Sequence, residues 1–251
     1  MRPTVKVRNI VIGEGRPKIC VPLTETTADS LAAAAKDLKN VPLDLVEWRA
    51  DYFEHLTKPD ELRDALSMLR TVLGEVPILF TIRTLPEGGT IDISTETYLS
   101  CNLIAMETGA VDLIDAELSR GEEAVKSLVT AAEASGISVV GSRHDFSKTP
   151  AKEEIVASLC RMQQLGCRIA KYAVMPKNER DVLTLLDATL TMKEDHPETP
   201  VITMSMGKLG EISRIAGIPF GSALTFGTAG KASAPGQLPA PALEQFFDML
   251  S

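Results

Sequence analysis

The chain is short of the residues on which soft-metal, phosphate-cradling and membrane chemistry depend. Its 251 residues include only four cysteines and three histidines. Cys20, Cys101, Cys160 and Cys167 have no Cys-x-x-Cys spacing, and His55, His144 and His196 stand far apart, so no metal site is expected. The cysteines read as reduced residues filling buried or half-buried positions of a cytoplasmic protein. Long apolar runs are missing too: Val76 to Ile82 falls far short of the ~20 residues that cross a bilayer. Met1 to Asn9 alternates charged and apolar residues without the apolar stretch of a secretory signal, so export is not expected. Cations are in deficit, with 26 Lys and Arg against 34 Asp and Glu and a formal net charge of −8. Clustered positive charge is what draws a protein to phosphate backbones and anionic lipid, so neither nucleic acid nor membrane is expected as a partner.

What is present is a regular exchange of short apolar runs and longer amphipathic stretches. After an alternating pair, Val5 to Arg8 and Ile10 to Ile12, strands are predicted at Lys18 to Leu23, Leu43 to Arg49, Pro77 to Arg83 and Val111 to Glu117. Four more follow at Ile137 to Ser142, Cys167 to Val174, Pro200 to Ser205 and Gly221 to Phe226. Helices are predicted between them at Ala28 to Lys39, Asp60 to Leu73, Thr95 to Thr108, Glu122 to Ala134, Lys152 to Leu165 and Glu179 to Met192, with a last one at Leu243 to Leu250. Thr149, Pro150 and Glu153 read as a helix start, and Gly136 and Gly166 as stops. About eight strand–helix units in ~250 residues predict an α/β protein with one (β/α)8 TIM barrel over residues 1–251, its N-terminal hairpin (1–15) covering the barrel bottom. A doubly wound open sheet fits less well, because Thr24-Glu25-Thr26-Thr27 stands where such a fold carries a glycine-rich phosphate turn.

Barrels place their chemistry at the carboxyl ends of the strands. The second strand ends in Glu47-Trp48-Arg49, and the period of two turns Glu47 and Arg49 to one face and Trp48 to the other. The next ends at Arg83 and runs into Glu87-Gly88-Gly89, and the fifth brings His144 to the mouth. Taken singly, these are also what surface ion pairs and a satisfied loop histidine look like; at equivalent strand ends they suggest a site. Lys171 lies inside the otherwise apolar run Ile169 to Val174. A desolvated amine can attack a carbonyl to form an imine, while a lysine snorkelling out of the barrel end would have the same sequence. Arg214 is suited to gripping a carboxylate, with Ser233 and Gln237 as further donors in a glycine- and proline-containing segment. Residues 228–239 are therefore a candidate lid, or a plain solvent loop. Met204 and Met206 offer contact to a ring or simple core filling.

Glu47-Trp48-Arg49, Glu87-Gly88-Gly89, His144-Asp145-Phe146, Lys171 to Pro176, Ile202 to Met206, Phe220 to Phe226 and Ala232 to Gln237 together resemble the type I 3-dehydroquinate dehydratases over essentially the full length. The resemblance implies syn dehydration of 3-dehydroquinate to 3-dehydroshikimate, the third step of the shikimate pathway, by a cytoplasmic homodimer that needs no metal, flavin, nicotinamide or pyridoxal. It implies that Lys171 forms the Schiff base, that His144 moves the protons and that Glu87 orients His144. Arg214, Ser233 and Gln237 would bind the substrate carboxylate, and Glu47 and Arg83 the ring hydroxyls. Arg49 would brace that network, with Met204, Met206, Phe226 and Ala234 as further substrate contacts. Two positions depart from the family pattern. Arg143 is expected to depress the pKa of His144 unless it pairs with an acid such as Asp145, and Tyr172 is expected to face outward against a helix. A Schiff-base aldolase and a non-catalytic anion-binding barrel are the competing readings.

Overall fold

The computed structural model describes residues 3–230 and 232–250; Met1, Arg2, Lys231 and Ser251 of the sequence read above lie outside the described residues. A short antiparallel hairpin, β1 (Val5–Val7) and β2 (Ile10–Ile12), leads into a run of parallel strands. These are β3 (Lys18–Leu23), β4 (Leu45–Arg49), β5 (Ile78–Thr81), β6 (Leu113–Glu117), β7 (Ser138–Asp145), β8 (Ile169–Val174), β9 (Val201–Ser205) and β10 (Leu224–Thr228). Each pairs with the next in parallel from β3 to β9, and β10 pairs with β3. Closure between β9 and β10 is thinner. It rests on the Val201–Ser222 bridge, on Ala223 N–H donating to Val201 O at 2.8 Å, and on Thr203 N–H donating to Ser222 Oγ at 3.1 Å. A side-chain hydroxyl thus stands in for a ladder carbonyl, and the eight strands form the barrel that the sequence rhythm predicts.

Around it pack α1 (Ala28–Asp37), α2 (Pro59–Leu73), α3 (Thr95–Glu107), α4 (Glu122–Ser135), α5 (Lys152–Gln164), α6 (Glu179–Asp195), α7 (Gly207–Ile215), α8 (Gly217–Phe220) and α9 (Ala240–Leu250). Three of their starts follow from side-chain capping: Thr27 and Ser30 form a reciprocal box, and Ser94 and Asn178 each accept from the third backbone N–H of their helix. The expected start at Thr149 is corrected. The N-cap of α5 is Ala151, without a side-chain bond, while Thr149 Oγ1 donates to Met175 O at 3.2 Å. Gly136 ends α4 in the left-handed conformation, as its position predicts. Two helices, α7 and α8, occupy a stretch for which no helix is predicted, and Gly207 and Gly210 at the start of α7 account for the omission.

The interior is layered. Leu45, Leu79, Leu113, Val140 and Ile169 form an apolar layer near the amino ends of their strands, together with Cys20, Ile202 and Leu224. Val5, Val7 and Ile12 join the same cluster, so the hairpin plugs the barrel bottom, each buried side chain contributing about 1.5–3 kcal/mol. Arg8, at the hairpin turn with φ 49°, ties the plug to the wall through Asp112 at 2.5 Å and Glu75 at 3.0 Å. Trp48 and Tyr172 face the outer core as expected; Trp48 meets Phe53 and Phe80 edge-on. At the other end β11 (Leu238–Pro239) adds in parallel to the end of β10 and feeds directly into α9, which roots the far end of segment 228–239. Among the described residues no helix is long and apolar enough to cross a membrane.

Candidate active site

Two residues further along β4 to β8 the interior becomes polar, while Met204 of β9 and Phe226 of β10 keep the other side apolar. Glu47, Thr81, Asp115, Ser142 and Lys171 form the next layer, and Arg49, Arg83, Glu117 and His144 the one above it. A cavity of about 690 Å3 opens above them. Its walls include every residue nominated from the sequence: Glu47, Arg49, Arg83, Glu87, His144, Lys171, Met204, Met206, Arg214, Phe226, Ser233, Ala234 and Gln237. Gly88, Phe146, Ala173 and Pro235 complete it. A second cavity of about 550 Å3 lies at the β9–β10 seam near the barrel bottom, but its cations are already engaged: Arg16 with Asp44 and Lys193 with the carbonyl of Pro219.

Lys171 is 4% exposed, and its strand does hold it inside the barrel. Its surroundings are not simply apolar, however. Nζ lies 3.6 Å from Glu47 Oε1, 3.8 Å from Asp115 Oδ2 and 4.3 Å from the centre of the Phe226 ring. Glu47 is steadied in turn by Thr81 Oγ1, which donates to Oε1 at 3.0 Å.

His144 Nδ1 and Glu87 Oε2 are 2.9 Å apart. Burial pushes the His144 imidazole well below its ordinary pKa, and the charges of Arg83, Lys171 and Arg49 add to the shift. Burial pushes the Glu87 carboxyl up, against the pull of Arg83 and with help from Glu117, to about 7. Both shifts disfavour a standing imidazolium–carboxylate pair and favour a neutral imidazole, for which the ionisation of Glu87 decides which ring nitrogen carries the proton. The expectation for Arg143 is corrected. It points away from the cavity, donates to Ser158 Oγ at 3.2 Å and lies over the Tyr172 ring at 5.8 Å, while Asp145 instead accepts from Ser147 and Lys148.

Arg83 is the most heavily bonded group of the site. Nη2 donates to Asp115 at 2.8 Å, and Nη1 to Glu117 at 2.7 Å and Ser142 Oγ at 3.1 Å, with Glu87 Oε2 at 3.5 Å. Burial opposes its charge, but the three carboxylates outweigh burial and hold it firmly protonated. Arg49 is held by a two-pronged pair with Asp51, both contacts 2.8 Å. Asp51, Asp115 and Glu117 are not among the site residues expected from the sequence. Asp115 and Glu117 stand two apart on an interior strand, the same signal that picked out Glu47 and Arg49.

Arg214 differs from the other two arginines. It sits in the last turn of α7, not in a loop, is 1% exposed, and has no carboxylate within salt-bridge distance among the described residues. Burial lowers its pKa to about 10, and Glu211 alone pulls the other way. Its Nη2 donates to Pro235 O at 2.9 Å, and the same carbonyl accepts from Gly207 N–H at 3.2 Å. Gly236, at φ 75°, packs so closely on Gly207 that a Cβ would lie 2.4 Å from its carbonyl oxygen. Ser233 and Gln237 bond each other: Gln237 Oε1 accepts from Ser233 N–H at 2.9 Å, and Nε2 donates to Ser233 Oγ at 3.0 Å. Among the described residues no three of His, Cys, Asp and Glu are placed to share a metal ion.

A parallel barrel whose charged mouth surrounds an interior lysine, a neutral imidazole and an arginine lacking a carboxylate partner defines a class of protein that handles small oxygenated anions. The chain belongs to the type I 3-dehydroquinase family, whose model matches residues 19–251. The 3-dehydroquinate dehydratase of Syntrophotalea carbinolica is 50% identical over 247 residues, covering 98% of each chain. That of Clostridioides difficile is 48% identical over 250 residues, covering 100% of this chain and 98% of its own. Among solved structures, the type I 3-dehydroquinate dehydratase of Clostridium difficile with covalently modified comenic acid superposes with a TM-score of 0.97 at 48% identity, covering 100% of this chain and 98% of its own. The enzyme of Geobacillus kaustophilus gives 0.96 at 38% identity over the same shares.

Proposed function

We propose that this protein dehydrates 3-dehydroquinate to 3-dehydroshikimate through an imine on Lys171. The observation that carries the reading is that the interior amine of Lys171 opens on the same cavity as the His144–Glu87 pair. The Lys171 amine adds to the substrate ketone and water leaves, giving an iminium that acidifies the neighbouring C–H. His144 takes that proton, the electron pair forms the ring double bond, and the departing hydroxyl leaves as water with the proton that His144 returns. Hydrolysis of the imine then releases the enone and restores the amine. Arg214 receives the substrate carboxylate, because it is buried without a carboxylate of its own; Ser233 and Gln237 exchange their mutual bonds for bonds to it. Glu47, Arg83 and Arg49 face the ring hydroxyls, and Met204, Met206, Phe226 and Ala234 supply the remaining walls.

Segment 228–239 acts as the lid of a single-domain barrel, pinned at one end by β11 and near its middle by Pro235 O. The protein works in the cytoplasm as a homodimer, a reading supported by the exposed Leu209 and Ile212 of α7 and Met249 and Leu250 of α9. Light scattering of the purified protein at twice the monomer mass is the expected result for the dimer. The decisive experiment for the activity is a spectrophotometric assay with 3-dehydroquinate, in which enone absorbance rises. Folded protein that produces no rise would refute the activity, and borohydride labelling of Lys208 rather than Lys171 would refute the assignment of the amine.

A further inference from the structure

Glu117 is fully buried and does not line the cavity, yet it holds two things on which the His144–Glu87 pair depends. The first is a competitor. Arg83 Nη1 lies 2.7 Å from Glu117 Oε1 but 3.5 Å from Glu87 Oε2, so Glu117 has claimed the guanidinium that would otherwise pair with Glu87. The second is the root of the turn that carries Glu87. Thr84 gives its N–H to Glu117 Oε1 at 2.9 Å and its hydroxyl to Oε2 at 2.5 Å. Thr84 O accepts in turn from the N–H groups of Glu87 and Gly89, each at 3.0 Å.

Glu117 is itself fixed from behind. The β5–β6 ladder ends at the Phe80–Ile114 pair, and beyond it Tyr98 takes the place of the missing rungs. Its hydroxyl donates to Asp115 O at 3.0 Å and accepts from Glu117 N–H at 3.1 Å. The acid therefore sits on a backbone secured on both sides.

We propose that Glu117 is a positioning residue of this site: by occupying Arg83 and anchoring Thr84, it leaves the Glu87 carboxylate to His144 and so selects which ring nitrogen of His144 is free to take a proton. With Glu87 ionised and aimed at Nδ1, the imidazole carries its proton there and keeps Nε2 open as the base. Without Glu117, Arg83 turns to Glu87, which leaves the imidazole, and the free ring reverts to the Nε2–H form. The pair is faced by Arg83 beside its own turn, by Asp115 and Glu117 from β6, by Arg49 from β4 and by Lys171 from β8. Removing the negative charge of Glu117 and freeing Arg83 both favour ionised Glu87, so the two effects shift its titration the same way, downward.

The kinetic consequence rests on the dehydratase reading; the structural consequence does not. The test is the imidazole 15N spectrum of the full chain at pH 8, with His144 distinguished from His55 and His196 by a His144→Ala control. The unmodified protein shows Nδ1–H at His144, and Glu117→Gln shows Nε2–H. In the same variant kcat falls about tenfold, its acid limb moves to lower pH by half a unit or more, and the borohydride adduct on Lys171 still forms. A Glu117→Gln protein that keeps the Nδ1–H form overturns the proposal. Should Glu117→Gln not fold, Glu117→Asp is the second variant. Its shortened carboxylate cannot hold both Arg83 and Thr84 and gives a mixture of the two forms, whereas an unaltered spectrum overturns the proposal. Unmodified protein that does not dehydrate 3-dehydroquinate, while its tautomer still follows residue 117, sinks the dehydratase reading and supports this one.

Discussion

The two ends of the barrel interior are made by the same strands and have opposite chemistry. One pleat repeat separates Leu45 from Glu47, Leu79 from Thr81, Leu113 from Asp115, Val140 from Ser142 and Ile169 from Lys171. Below that line the side chains are apolar and sealed by the hairpin; above it these five strands turn polar, and Glu47, Arg49, Arg83, His144 and Lys171 face the cavity. The lower end gains free energy from every side chain it buries. The upper end spends some of it, because desolvated acids and arginines are stable only where each has found partners. The division predicts that changes at the top alter turnover, with a cost to the fold wherever they strand a buried charge, and that changes at the bottom act on the fold and leave the chemistry intact.

The largest effect is expected at Lys171. Lys171→Met removes the amine from which the imine forms, so turnover of 3-dehydroquinate falls by roughly 10⁴-fold or more and borohydride labels nothing. His144→Ala comes next, slowing turnover by roughly 10²–10⁴-fold while the labelled imine still accumulates. Loss of the label in that variant would show that the upper layer does not divide its tasks in this way. At the lower end Ile12→Ala leaves a hole in the plug and costs about 2–5 kcal/mol, read as a fall of several degrees in the melting midpoint, with kcat per folded molecule unchanged. Acidification gives a smaller, reversible effect. Burial raises Glu87 to about 7 and lowers His144, so kcat increases as pH rises through about 7, where Glu87 loses its proton, and the imidazole itself titrates well below that limb. The smallest effect belongs to Arg8→Gln. Asp112 keeps Arg70 at 2.6 Å, so the loss is below about 1 kcal/mol in a denaturant titration.

Much of this division was legible in the sequence. The alternation that puts Trp48 outward between Glu47 and Arg49, and Lys171 inward beside Tyr172, is a property of any strand, so the facing of those side chains could be read without coordinates. The eight-fold rhythm was legible for the same reason, since each strand and its helix carry their own periodicity. Charge pairing was not. The reach of Arg83 to Asp115 and Glu117 joins neighbouring strands across 32 and 34 residues, and no local pattern encodes it. Arg143 misled because its neighbour in sequence is His144, although a strand sends adjacent side chains to opposite faces. The helix α7 was hidden by the glycines at its start, one of which admits the close approach of Gly236. The strand predicted from Gly221 begins three residues later, at Leu224, because Gly221 closes α8 in the left-handed conformation.

The plug also sets an order of events in biosynthesis. Val5, Val7 and Ile12 leave the ribosome long before Ile169, Ile202 and Leu224 of the same cluster, and β3 must wait for β10 before its second edge is paired. A hairpin of three-residue strands has no independent stability, so it stays unformed until the chain has emerged through β10. Such distant pairings are slow to close and leave the unsatisfied strand edges open to neighbouring chains in the meantime. The same contact that seals the finished barrel therefore makes the nascent chain dependent on β8 to β10, and a ribosome stalled before residue 224 holds a barrel that cannot be closed from within.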